Sequence, residues 1–242
     1  MKKLNLFCFP YAGGSAAVFN PWRRYLHRQI ELNAVELSGR GKRIYDPPYD
    51  DLNHAVEDVF GIIKDKLDEA PYALFGHSMG GVIAYELAQK IRTLQCNQPA
   101  HMFFSGRGAP HIADEESDPY WHLPDPEFKE KILELGGTPR EFFEHPELLE
   151  VFLPLLKNDF RIAELYRGSE EVDPLDTDIT VFIGKEEDVT PERMVGWKEH
   201  SKGLCSMHFF TGGHFFINEQ AQKAVKIINN TLVEELQRRR QS

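Results

Sequence analysis

The sequence predicts an α/β fold: a mostly parallel sheet of about six to seven strands, helices on both of its faces, and a helical segment inserted between two of the strands. Three observations predict it. Short apolar runs alternate with longer helical patterns over most of the 242 residues, as in repeated strand–helix–strand units. The short runs are strand-sized and rich in aromatic or β-branched side chains, which suits strands covered on both faces. One connection, of roughly 70 residues, is far longer than a crossover needs and marks an insertion.

The elements follow in chain order. Leu4 to Phe9 is the first strand, too short for a signal-peptide core or a membrane span. It begins three residues into the sequence, which leaves no room for an antiparallel opening strand. Ala17 to His27 reads as helix, Leu32 to Leu37 as strand, Leu52 to Leu67 as helix, Tyr72 to Phe75 as strand and Met79 to Thr93 as helix. After a strand at His101 to Ser105 comes the insertion, about 110–175, which opens on the polar run Asp114-Glu-Glu-Ser-Asp118. There Asp125-Pro-Glu127 has the order of a cap, a first-turn proline and a first-turn acid. Phe128, Ile132, Leu133 and Leu135 then share a face, and Pro146 to Leu156 carries a second apolar face. So small an insert has no means of burying that much apolar area within itself, so it should close on the main body as a lid. Ile179 to Ile183 and Met207 to Phe210 complete the strands, with helices at Pro191 to Ser201 and Asn218 to Arg238. The whole chain, 1–242, reads as one domain carrying its lid.

Composition narrows the function. Lys+Arg at 28 against Asp+Glu at 38 gives a net charge of −10, and no basic stripe exceeds Arg238-Arg-Arg240, so a nucleic-acid surface is not expected. Three scattered cysteines without a Cys-x-x-Cys give neither a disulfide framework nor a zinc cluster, and point to reduced thiols and a cytoplasmic protein. No His, Cys or carboxylate grouping has metal-ligand spacing, so no metal is expected.

The chemistry centres on Gly76-His-Ser-Met-Gly80. A strand leads straight into it and a helix straight out, the context of a nucleophile elbow, in which a strained turn lifts the serine hydroxyl above the sheet edge. A glycine-rich turn with a capping serine is the plainer reading, and the two flanks disfavour it. Ser78 needs a base to take its proton. Of the ten histidines, His214 stands where that base belongs, on a loop after the last strand, where Gly212-Gly213 breaks it. His77 adjoins Ser78 but must point away from it, and His208 lies within a strand. The orienting acid should follow the preceding strand, where Gly184-Lys-Glu-Glu-Asp188 offers three carboxylates. Asp188 is the choice by residue type, with Glu187 its rival. Two backbone donors should hold the oxyanion: Met79, which follows the nucleophile, and Ala12 or Tyr11 in the small-residue loop Pro10-Tyr-Ala-Gly-Gly-Ser15. Together these features specify the α/β-hydrolase fold.

The sequence also resembles the external, type II thioesterases that accompany nonribosomal peptide and polyketide synthetases. The resemblance rests on Leu6-Phe-Cys-Phe-Pro-Tyr-Ala-Gly-Gly-Ser15, Glu36-Leu-Ser-Gly-Arg-Gly-Lys-Arg43, Phe75-Gly-His-Ser-Met-Gly-Gly81 with Ala84-Tyr-Glu-Leu-Ala88, Leu123-Pro-Asp125, Leu135-Gly-Gly-Thr-Pro139, Leu153-Pro-Leu-Leu-Lys-Asn-Asp-Phe-Arg161 and Gly212-Gly-His-Phe-Phe216. These span nearly the whole chain. In the acid loop, ungapped spacing against that family favours Glu187 while residue type favours Asp188. The resemblance implies hydrolysis of acyl or aminoacyl thioesters on the phosphopantetheine arm of peptidyl or acyl carrier domains, clearing misprimed or stalled synthetases. The whole reading is of a monomer with no cofactor of its own, the phosphopantetheine belonging to the substrate, and with no membrane or nucleic-acid partner. Phe152, Leu156 and Phe160 of the lid would wall the acyl site, and Arg40, Lys42 and Arg43 would ease the approach of an acidic carrier. A general carboxylesterase, a fatty acyl-carrier thioesterase and an idle hydrolase scaffold are the rival readings.

Overall fold

A computed structural model describes residues 3–113, 119–137, 145–169 and 171–241. The polar opening of the insertion, 114–118, and Thr138-Pro139 lie outside them. The elements are β1 (Leu4–Phe9), β2 (Ile30–Ala34), α1 (Leu52–Ile63), β3 (Tyr72–His77), α2 (Met79–Thr93), β4 (His101–Ser105), α3 (Asp125–Leu135), α4 (Pro146–Leu165), β5 (Ile179–Gly184), α5 (Pro191–Val195), β6 (Cys205–Phe210), α6 (Phe216–Glu219) and α7 (Ala221–Gln241). The sheet has six strands in the order β2-β1-β3-β4-β5-β6, and every neighbouring pair is parallel. Strand order reverses between β1 and β3, so the crevice beyond their carboxyl ends is where such a sheet places a ligand.

Alternation along β1 explains why the run is apolar at every position but Asn5, which is half-buried and accepts from Asn33 Nδ2 at 3.1 Å. Leu4, Leu6 and Cys8 pack on the face covered by Phe19, Trp22 and the α7 residues Val225, Ile228 and Leu232. Phe7 and Phe9 pack on the opposite face, against α1 and α2 through Val59, Ile83 and Leu87. With both faces buried, both phases of the period-two pattern favour apolar residues through the strand's centre.

Several elements differ from their sequence reading for physical reasons. The segment after β1 forms a 3₁₀ helix, Ala16–Arg24, with Pro21 inside it; proline supplies no N–H and crowds the preceding turn, which an α-helix interior does not accommodate. The second strand lies earlier than Leu32 to Leu37: its last bond to β1 is from Val35 N–H to the Cys8 carbonyl at 2.9 Å, after which the chain leaves the ladder while Leu37 stays buried. Helix α3 is capped by Pro124 without a side-chain bond, and Asp125 instead receives Lys157 Nζ of α4 at 2.6 Å.

The inserted helices build a small core of Phe128, Ile132, Leu153 and Leu156. At about 1.5–3 kcal/mol per buried side chain this gross gain is modest against the entropy of ordering two helices. Polar ties to the body therefore matter: Asn158 Nδ2 donates to the Tyr49 carbonyl at 2.9 Å, and Arg161 donates to that of Asp50 at 2.6 Å.

Two histidines outside the site contribute to the acid sensitivity of the fold. His101 lies in β4 with Nε2 2.8 Å from Thr180 Oγ1, and His200 has Nδ1 2.8 Å from the Tyr85 hydroxyl. Burial pushes both down to about 4, with His111 a second, lesser cause at His200. The unfolded chain takes up protons near pH 6.5 that these two positions refuse until about 4, so the stability they contribute is complete above 6.5 and is lost as pH falls through that window. The expected loss is on the order of 3 kcal/mol per imidazole. Urea midpoints should fall from pH 7 to pH 4.5, less steeply in His101→Gln; the same slope in that variant would contradict the assignment.

Candidate active site

The elbow is built by backbone-to-backbone contact. A Cβ on Gly76 would sit 2.0 Å from the Gly80 carbonyl oxygen, and one on Gly80 would sit 2.1 Å from that of Phe9. Only glycine at both positions lets β3, the turn and α2 approach so closely. Between them Ser78 takes φ 53° and ψ −117°, a region that costs a non-glycine residue energy and aims its side chain out of the turn. Its N–H donates to the Ser105 carbonyl at 2.8 Å, which anchors the strained residue to β4.

His77 points into the protein, as expected, and is fully buried with Nδ1 2.9 Å from Ser105 Oγ. Burial, and secondarily the neighbouring His214, hold it well below the usual imidazole range, so it is neutral. Its ring lies 4.9 Å from that of His214, which places His214 beside the turn that carries Ser78.

The acid is where the sequence reading needs correction. The carboxylate that meets His214 belongs to Glu187, not Asp188: Glu187 Oε1 lies 2.7 Å from His214 Nδ1. Its side chain is 3% exposed, and its other oxygen accepts the Gly184 N–H at 2.6 Å. Asp188 is exposed. The cause is the path of the loop, which folds along the end of β6 through Lys185 N–H to the Phe210 carbonyl and Glu186 N–H to that of Gly212. That path turns Glu187 inward, and its extra methylene spans the gap. An ionised Glu187 fixes the tautomer with the proton on Nδ1, which leaves the Nε2 lone pair free to act as a base.

Met79 is the first residue of α2, so its N–H has no intrahelical acceptor and lies at the positive end of the helix dipole. Across the crevice, Gly14 N–H donates to the Tyr11 carbonyl at 2.9 Å and Gly13 has φ 73°, the signature of a type II turn with Ala12 and Gly13 at its centre. The Tyr11 ring packs edge-on against His77 and Phe215. Leu156 and Phe152 press on the turn, within 2.6 and 2.9 Å of where a Gly13 Cβ would be. Phe160 instead packs inside the lid, against Tyr120 and Phe128.

The basic cluster also needs correction. Arg40 is buried and paired with Asp159, and Arg43 is committed to Asp58 and Asp46, which leaves Lys42 exposed. Arg40 is therefore no surface charge for a carrier. The Arg40–Asp159 pair was legible only as two separate motifs, Gly39-Arg-Gly41 and Asn158-Asp-Phe-Arg161, and nothing in either points to the other. Among the described residues, no group of three or more His, Cys, Asp or Glu side chains is placed to hold a metal, and no helix is long and apolar enough to cross a membrane.

Sheet, elbow and the His214–Glu187 pair define the class: an α/β hydrolase. The chain belongs to the thioesterase family, whose domain model matches residues 4–232, and within it to the type II thioesterases. It is 38% identical over 231 residues to the linear gramicidin dehydrogenase LgrE of Brevibacillus parabrevis, covering 94% of this chain and 87% of that one. The turn after β1 reads Pro10-Tyr-Ala-Gly-Gly14 here, not the Gly-x-Gly-x-x-Gly of a dinucleotide site, so the redox activity in that relative's name is not carried over. Among solved structures, ClbQ from the colibactin pathway superposes with a TM-score of 0.90 at 33% identity, over 97% of this chain and 98% of that one. The type II thioesterase BorB, from the borrelidin biosynthetic cluster, gives 0.84 at 30% identity, over 95% and 93%.

Proposed function

We propose that this thioesterase hydrolyses acyl and aminoacyl thioesters held on the phosphopantetheine arm of synthetase carrier domains, with Ser78 as nucleophile, His214 as base and Glu187 as its orienter. The observation that carries the residue roles is the 2.7 Å contact of His214 Nδ1 with Glu187 at the sheet edge where the strained Ser78 emerges. In the first half-reaction His214 Nε2 takes the Ser78 proton and Oγ attacks the thioester carbonyl carbon. The N–H groups of Met79 and Ala12 hold the oxyanion. The C–S bond then breaks and the thiolate takes the proton from imidazolium. A thiolate is a good leaving group, so this step asks little of the acid. Water, deprotonated by His214, attacks the acyl-serine; the acid departs and Ser78 recovers its proton.

The reading gives the protein no metal or cofactor of its own and makes it a cytoplasmic monomer; Cys8, Cys96 and Cys205 are free thiols, in keeping with that compartment. At a net charge of −10, with Arg40 and Arg43 consumed internally, encounter with an acidic carrier should be weak and transient. That suits an enzyme that must spare intermediates awaiting elongation. Binding energy from the carrier surface is unavailable to a free coenzyme. Acetyl on a holo-carrier should therefore be hydrolysed with a kcat/KM at least about 10-fold above that of acetyl-CoA. Equal or better hydrolysis of acetyl-CoA would favour a general thioesterase or esterase instead.

A further inference from the structure

The Arg40–Asp159 pair lies in the contact between the lid and the turn that carries Ala12, and the catalytic mechanism leaves it unused. Arg40 is 4% and Asp159 1% exposed. The guanidinium grips the carboxylate with both forks, Nη1 to Oδ2 at 2.6 Å and Nη2 to Oδ1 at 2.9 Å. Its Nε donates to the Ser38 carbonyl at 3.1 Å, and Nη1 also reaches the Gly14 carbonyl at 3.3 Å. Asp159, from α4, accepts one more bond: the Gly13 N–H donates to Oδ2 at 2.7 Å.

Burying two charges costs several kcal/mol of desolvation, and an apolar pair of similar volume is commonly as stable or more so. Stability alone therefore gives little reason for the pair. Its geometry gives a better one. The peptide carrying the Ala12 N–H has its carbonyl, that of Tyr11, fixed by the Gly14 N–H. The next peptide, Ala12–Gly13, has its N–H fixed by Asp159. With both neighbouring peptides held, the Ala12 N–H has one direction, as preorganised stabilisation of an oxyanion requires. Without the carboxylate, rotation of the Ala12–Gly13 peptide would convert the type II turn to type I and let the loop relax.

We propose that Asp159 is a positioning residue for the oxyanion hole: through the Gly13 N–H it fixes the turn bearing Ala12, and Arg40 holds it there, so the hole is formed only when the lid helix is docked. The proposal rests on the assignment of Ala12 as oxyanion donor and is independent of which thioester is the natural substrate.

The test compares Arg40→Met/Asp159→Leu, which removes the pair without stranding a charge, with Arg40→Met/Asp159→Asn, which restores an acceptor for Gly13. Rates are read on p-nitrophenyl acetate, too small to need the lid, and on an acetylated holo-carrier. The Leu variant should lose about 10- to 100-fold in kcat on both substrates by a similar factor, with KM little changed, since one misaimed donor costs less than a deleted one. The Asn variant should recover most of the loss. A loss confined to the carrier substrate, or carried by KM, would make the pair a wall of the acyl site and overturn the proposal. Equal rates in the two variants would overturn it as well. Should either variant fail to fold, amide hydrogen exchange on the unaltered protein decides: Gly13 N–H should be protected, and exchange at an open-loop rate would overturn the proposal. The proposed function fails separately, on the wild-type comparison of carrier with coenzyme.

Discussion

Ser78→Ala is expected to remove turnover, by about 10⁴-fold or more, in a protein that still folds. Alanine keeps the Cβ, so the backbone at φ 53° bears the same strain, and the N–H to Ser105 is unaffected. What disappears is the only atom that forms the covalent bond to the acyl group. The oxyanion donors remain, so a small residual rate over uncatalysed hydrolysis should persist. The check is kcat on an acetylated carrier, paired with fluorophosphonate labelling and a melting curve. Activity within about 10-fold of wild type would mean a different nucleophile. An unaltered chain that no fluorophosphonate labels would instead favour an idle scaffold.

The second large effect separates two adjacent carboxylates. Glu187→Ala should depress kcat by about 10²- to 10⁴-fold, while Asp188→Ala should stay within about 2-fold of wild type, as for an exposed charge. Glu187 Oε1 lies 2.7 Å from His214 Nδ1, and in the proposed mechanism it holds that proton and faces the imidazolium formed in each half-reaction. Its loss leaves a ring free to rotate or to present the wrong nitrogen. It also removes the acceptor of the Gly184 N–H, so the loop should loosen, and thermal denaturation distinguishes that from the catalytic effect. A large effect at Asp188 with little at Glu187 would reverse the assignment.

The turn that carries Ser78, the loop that carries His214 and the sheet were readable because each has a local signature: a strand, a Gly-x-Ser-x-Gly and a helix in succession, or a glycine pair that ends a strand. Strand interiors were legible for the same reason, since two buried faces leave a continuous apolar run. The acid was not, because three neighbouring carboxylates differ only in where the loop turns, and that depends on hydrogen bonds to Phe210 and Gly212 on the neighbouring strand. Arg40 was misread as a surface charge because its partner lies 119 positions away, on the lid. The helix type at Ala16–Arg24 was signalled by Pro21, and the apolar spacing outweighed that signal.

The strained serine sets the enzyme's most stable sequence against its active one. A backbone at φ 53° and ψ −117° costs a side-chain-bearing residue about 1–3 kcal/mol, whereas glycine enters it freely at an entropic cost of about 0.5–1 kcal/mol. Relief outweighs cost, so Ser78→Gly should melt about 2–4 °C above the wild type while having no turnover. A library selected for thermal resistance alone should therefore drift toward glycine at 78, and only a simultaneous demand for hydrolysis would hold serine there.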